Sequence, residues 1–275
     1  MPDSSPLRLG GTNFGYLNAH TLAEALQHLA SCGMSMVELG LAAPHFDLQT
    51  STTADAAALR ALLAQLGLAC SSVNATELNL ISQNDGVAEL ALTQYTRLIR
   101  VAAELGAPYA VMVPGRQHPL RPTPAGIALD RFERQMNVLL RVAETAGVSI
   151  ALETVPFGFL QTAEELAAWV RNAGHAQLSM VVDCANVFMV EDPATAVVAA
   201  RDVMTICHVS DAWRTRWAHT SIGTGEIDFA SISRSLGTIE FGGITIYELM
   251  DAHDPVPRLK RDIGRLESAG WRQAP

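Results

Sequence analysis

No apolar run in the chain reaches the roughly 18 residues that a membrane span needs, so no membrane partner is expected. The opening residues, MPDSSPLRLG, carry no apolar h-region, and secretion is not expected either. Cysteine is sparse: Cys32, Cys70, Cys184 and Cys207 form no Cys-x-x-Cys pair. They read as small buried apolar residues in a reducing compartment, which predicts a cytoplasmic protein. Positive charge is also short, with 19 Lys and Arg against 28 Asp and Glu and a formal net charge of -9. An acidic surface repels phosphate backbones, so no nucleic-acid partner is expected. No Gly-x-Gly-x-x-Gly follows the first apolar run; Gly10, Gly11 and Gly15 lack that spacing.

What the chain does have is apolar material and rhythm. Hydrophobic residues make up 49% of its 275 residues and charged residues 17%, which excludes disorder. Short apolar runs recur at Arg8–Thr12, Met36–Leu39, Cys70–Val73, Tyr109–Val113, Ser149–Leu152, Ser179–Val182, Thr205–His208 and Ile244–Leu249. Several are apolar on consecutive residues, as parallel strands buried on both faces are. The first run is the weakest. Helix-like stretches lie between them. Leu22, Ala25, Leu26 and Leu29 share one face at helical spacing, as do Leu59, Leu62, Leu63 and Leu66, and Tyr95, Leu98, Ala102 and Leu105. Thr162 and Glu165 form a capping-box pattern, and Gly33, Gly67, Gly106 and Gly147 stand where helices should stop. No linker or charge block divides residues 1–275, which predicts one domain. Eight strand–helix units in this length predict a single (β/α)8 barrel rather than a doubly wound open sheet.

The chemistry-bearing residues gather in the second half. Glu153, Asp183, His208 and Glu248 each close, or nearly close, one of the last four runs. In a barrel those ends open on one face, where side chains of neighbouring strands converge. A lone acid at a strand end usually caps a helix or joins an ion pair, and a lone histidine is usually structural. Four on successive strands call for a common reason. Converging carboxylates repel one another unless a cation is present. The oxygen-rich donor set suits one divalent metal ion: Mn²⁺ first, with Mg²⁺, Co²⁺ or Zn²⁺ as alternatives.

This ordered set resembles the xylose isomerase-like superfamily of TIM barrels. It is most similar to its sugar isomerase and epimerase group, which includes ketose 3-epimerases, hydroxypyruvate isomerase and inosose dehydratase. The resemblance is carried by Ala-Leu-Glu-Thr (151–154), Val-Val-Asp-Cys-Ala-Asn (181–186), His-Val-Ser-Asp (208–211), Ile-Gly-Thr-Gly-Glu-Ile-Asp-Phe (222–229), Tyr-Glu-Leu (247–249) and the stretch Gly33–Leu39. It implies that Glu153 and Glu248 are both metal ligands and proton carriers, working through a metal-bound enediolate on a small keto-sugar or polyol derivative. It also implies a substrate-binding role for Arg214, six residues after His208, and a homodimer or homotetramer. A histidine often stands three residues after the aspartate ligand in this group; here Asn186 does, able to bond a substrate hydroxyl but not to shuttle a proton. A glutamate commonly found six residues after the first ligand is Phe159 here, so Phe157-Gly158-Phe159 reads as an apolar wall.

His219, ahead of a glycine turn through Gly223 and Gly225, is a further candidate to face substrate. So are Asn74 after the third run, and Glu38 and His45 at and after the second. Trp213 and Trp217 offer aromatic faces to sugar C–H groups, and Arg116 and His118 could meet an anionic group. The same metal site also serves a lyase that dehydrates a keto-inositol or dehydroshikimate-like substrate. A phosphodiesterase resembling endonuclease IV fits less well, since that chemistry uses a metal cluster with additional histidines.

Overall fold

The computed structural model describes residues 8–271; the flanking 1–7 and 272–275, part of the opening segment discussed above among them, lie outside the described residues. Eight parallel strands close on themselves. They are β1 (Arg8–Thr12), β2 (Met36–Gly40), β3 (Ala69–Asn74), β4 (Tyr109–Met112), β5 (Ser149–Glu153), β6 (Leu178–Asp183), β7 (Met204–Val209) and, after a hairpin, β10 (Ile244–Tyr247). The seam is β1 on β10, where Gly10 pairs with Ile246 and Gly11 with Tyr247. Closure leaves no sheet edge and decides for the (β/α)8 barrel over the open sheet.

The faint signal of β1 has a steric cause. A Cβ on Gly10 would come within 2.6 Å of the Met36 side chain. Met36, Val111, Ala151, Val181, Ile206, Ile244 and Ile246 fill the barrel interior as a separate apolar cluster. The larger core lies between the strands and the surrounding helices. Those helices are α1 (Leu22–Ser31), α2 (Thr53–Leu66), α3 (Asp85–Leu105), α4 (Ala125–Ala146), α5 (Ala163–Ala173), the short α6 (Cys184–Phe188), α7 (Pro193–Ala199), α8 (Phe229–Thr238) and α9 (Leu259–Ser268). Capping boxes start α1 at Thr21 and Glu24, α2 at Thr52 and Asp55, and α5 at Thr162 and Glu165. Left-handed Gly67, Gly106 and Gly147 end α2, α3 and α4.

One element was not visible in the apolar pattern. An antiparallel hairpin, β8 (Asp211–Trp213) and β9 (Arg216–Thr220), rises after β7 on the face where the strands end. Asp211 anchors the segment that follows it. Its buried carboxylate accepts from the N–H groups of Gly223 and Gly225, both at 2.8 Å, and of Ile227 at 3.2 Å. A Cβ on Gly225 would collide with the Ala212 carbonyl oxygen. The glycine turn therefore approaches Asp211, not the barrel mouth.

Candidate active site

The barrel brings Glu153, Asp183, His208 and Glu248 together. Glu153 and Asp183 end β5 and β6, His208 is the penultimate residue of β7, and Glu248 directly follows β10. Register aligns them: Asp183 pairs with His208, and His208 with Ile246. One ligand-type atom from each lies within 4.8 Å of all the others, and all four residues are buried. His208 Nδ1 is 3.7 Å from Glu153 Oε1, 3.6 Å from Asp183 Oδ2 and 3.5 Å from Glu248 Oε2.

Three features of this cluster fit a divalent ion. Donor atoms around an ion bonded at roughly 2.1 Å lie about 3 to 4.2 Å apart, so little contraction is needed. Asp183 Oδ2 and His208 Nδ1 are buried with no hydrogen-bond partner among the described residues, a state that costs free energy unless something fills it. The charges also ask for a cation. Burial first, then the charges of Glu248 and Asp183, push the Glu153 carboxyl up to about 7, against the pull of His208. Burial likewise raises Asp183. Burial would strip the His208 ring of its proton, yet the charges of Glu38 and Glu248 hold its pKa well above the ordinary histidine value. The converging carboxylates thus leave a negative charge that a metal ion held among them would balance.

The surrounding bonds aim these groups. Asp183 does two jobs: Oδ1 accepts from the Asn186 N–H at 2.6 Å and so caps α6, leaving Oδ2 for the cluster. His208 Nε2 lies 3.2 Å from Glu38 Oε2, and Glu38 also accepts from Ser72 Oγ at 2.6 Å and Asn74 Nδ2 at 3.1 Å. With Nε2 committed to Glu38, Nδ1 is the nitrogen presented to the acids. Asn186 Nδ2 donates to Glu153 Oε1 at 3.0 Å. Its Oδ1 accepts from Trp217 Nε1 at 2.6 Å and His219 Nε2 at 3.2 Å. His219 Nδ1 lies 3.3 Å from Glu248 Oε2. Burial works against its charge, but Asp183 and Glu248 raise it to about 9.

Above the cluster opens a cavity of about 350 Å³, the low end of the range for small-molecule sites. Glu153 and Glu248 line it; Asp183 and His208 lie behind them. Asn74, Asn186 and His219 also line it, joined by Val113, Val155, Trp217 and Met250.

Other expected residues are placed elsewhere. Arg214 does not enter the cavity. Its guanidinium bonds the carbonyls of Phe188 at 2.7 Å and Glu191 at 2.9 Å and stacks on the Phe188 ring. The hairpin turn sends it outward to tie down the end of α6. His45 is spent on Asn13 Nδ2 and the His20 carbonyl, at 3.0 and 2.8 Å. Glu38 lies beneath the cluster, outside the cavity lining, and touches His208. Phe159 packs on Phe132, so the aromatic wall at the rim is Phe157 with Trp217, ring centres 6.1 Å apart. Trp213 stacks under Arg216, and His118 accepts from the N–H groups of its own loop.

Two residues have roles that the sequence pattern does not display. Glu38 had one usable signal, a carboxylate inside an otherwise apolar strand, which must have a buried partner. Trp217 as the donor to Asn186 had none, because only the hairpin fold sets its direction.

The family model described as Xylose isomerase-like TIM barrel matches residues 26–269. A curated protein of Arthrobacter globiformis, Ketose 3-epimerase, is 26% identical over 261 residues, covering 91% of this chain and 85% of its own. Among solved structures, a D-tagatose 3-epimerase-like protein superposes with a TM-score of 0.81 at 22% identity, over 95% of this chain and 99% of its own. The IOLI protein, crystallised with a zinc atom, gives 0.78 at 18% identity over 96% of each chain. At these identities the structural matches speak for the fold.

Proposed function

The chain belongs to the xylose isomerase-like TIM barrel family, and from that premise we propose that it is a divalent-metal-dependent sugar epimerase or isomerase. Its substrate would be a small keto-sugar or polyol-derived ketone. The observation that carries this reading is the division of labour among the four clustered residues. Glu153 and Glu248 reach the cavity while Asp183 and His208 stay behind them. The two glutamates stand at the ends of an arc of four adjacent strands, β5, β6, β7 and β10. A substrate carbon between them meets one carboxylate on each face.

Glu153, Asp183, His208 and Glu248 would hold the ion, which when bound supplies the positive charge that polarises a ketone carbonyl. The rest falls to side chains. One glutamate removes the proton from the carbon beside the carbonyl, leaving an enediolate. The other returns a proton from the opposite face, which inverts the carbon, or at the neighbouring carbon, which moves the carbonyl. Asn186 keeps Glu153 aimed through its Nδ2–H, and His219 steadies Glu248. Trp217, Val113, Val155 and Met250 give the cavity its apolar walls beside the reacting carbon. The name of the A. globiformis relative, Ketose 3-epimerase, favours exchange beside a ketone over dehydration.

The test is incubation of Mn²⁺-loaded protein with ketopentoses, ketohexoses and keto-sugar acids of the same size in D₂O, followed by NMR. Deuterium should enter the carbon beside the carbonyl as an epimer or isomer accumulates. Glu248→Gln should slow this at least about a hundred-fold with an unchanged circular dichroism spectrum. A product that has lost water, or no exchange on any ketose, contradicts the reading.

A further inference from the structure

We infer that the substrate carries a carboxylate, bound by Arg116 at the cavity mouth; this rests on the sugar-isomerase reading and names its substrate class. Arg116 is the one arginine or lysine among the described residues of the lining, whose acids are Glu77, Glu153 and Glu248; His219, deeper in the lining, is already engaged by Glu248 and Asn186. An ion at the floor would answer the charge of Glu153 and Glu248. Nothing comparable answers Arg116. Among the described residues its guanidinium makes no ion pair and donates no hydrogen bond, to Glu77 or to any other group. It lies over the Trp217 ring, Cζ 5.1 Å from the centre. Arginine stacked this way keeps its N–H edge free for a planar, bidentate partner such as a carboxylate.

The position is built, although the side chain is exposed. Asn79 clamps the Arg116 backbone from one side, with Oδ1 accepting from its N–H at 3.2 Å and Nδ2 donating to its carbonyl at 3.0 Å. On the other side Arg116 bridges to Gly158, and the Gln117 N–H donates to the Phe157 carbonyl at 2.7 Å. Behind it, Gly115 has φ 136° and sits so close to Ile81 that a Cβ would fall 2.6 Å from Cγ1. The loop after β4 is thus pinned from three directions with its arginine over the mouth. In a chain of net charge -9, a fixed cation without a partner in an acidic cavity is a specificity element for an anion. The cavity volume limits that anion to about the size of one monosaccharide.

The experiment compares gluconate with glucitol, two unreactive polyols of like size differing in the carboxylate. Calorimetric titrations use the Mn²⁺-loaded protein and its Arg116→Gln and Arg116→Lys variants. Gluconate should bind at least about ten-fold tighter than glucitol, the ratio should fall toward one in Arg116→Gln, and Arg116→Lys should recover part of it. Equal affinities in the unaltered protein, or no measurable gluconate binding, overturn the inference. So does a preference that survives Arg116→Gln, which would put the carboxylate on the metal. Turnover of neutral ketoses alongside any of these results leaves the isomerase reading standing and removes only the carboxylate. Absence of exchange on every neutral and acidic ketose removes both.

Discussion

His208 is held between two sets of acids: Nε2 lies 3.2 Å from Glu38 beneath it, while Nδ1 faces Glu153, Asp183 and Glu248 above. A carboxylate behind a ligating histidine fixes which nitrogen is presented and raises its basicity. Glu38→Gln preserves the shape and removes the charge. Mn²⁺ affinity should fall about ten- to a hundred-fold, read by calorimetric titration, with the thermal transition of the folded chain retained. Unchanged affinity would mean that Glu38 is only a packing group.

Much of this architecture is legible in the sequence, for physical reasons. Parallel strands buried on both faces leave consecutive apolar runs, so all eight barrel strands fall where the runs do. The four clustered residues are legible because each interrupts the apolar pattern at a strand end. Arg214 and His45 lie away from the cavity because loop and turn geometry decides where a side chain goes, and position along the sequence does not. The β8–β9 hairpin leaves no such signal, because its strands are only three and five residues long and mix polar with apolar types without a readable alternation. Glu38, buried between Ser72, Asn74 and His208, looked like a mouth residue because its partners come from strands distant in sequence.

Asp251 links the mouth to the last helix. Its carboxylate takes two bonds from Arg258, at 2.8 and 2.7 Å, and one from Thr220 at 3.0 Å. Burial disfavours its charge, yet the Arg258 bonds, helped by the His253 N–H and Thr220, bring it from 3.8 down to about 2. A carboxylate depressed on folding stabilises above its unfolded value and loses that contribution as pH falls through the folded one. Asp251→Asn should therefore cost about 1 kcal/mol at neutral pH, discounted for solvent screening. The cost should shrink between pH 4 and pH 2. Urea midpoints of both proteins across that range check it; a difference independent of pH would contradict it.

Two glycines should respond oppositely to alanine. Gly225→Ala drives a methyl group into the Ala212 carbonyl and the Asp211 carboxylate, and should destabilise by about 1–3 kcal/mol. Gly264 lies inside α9, and a Cβ there meets nothing within 4 Å. Gly264→Ala should stabilise by up to about 1 kcal/mol. Chemical denaturation of the pair measures both, and destabilisation of similar size at both positions would refute the steric account.

The central claim is that Glu153, Asp183, His208 and Glu248 grip one divalent ion. Inductively coupled plasma mass spectrometry on protein stripped with a chelator, reloaded with Mn²⁺ and desalted, tests it most directly. One ion per chain is predicted, falling to a small fraction in Asp183→Ala while that variant keeps its circular dichroism spectrum. A reloaded protein that retains no metal, or an Asp183→Ala variant that retains as much as the parent, would contradict the account.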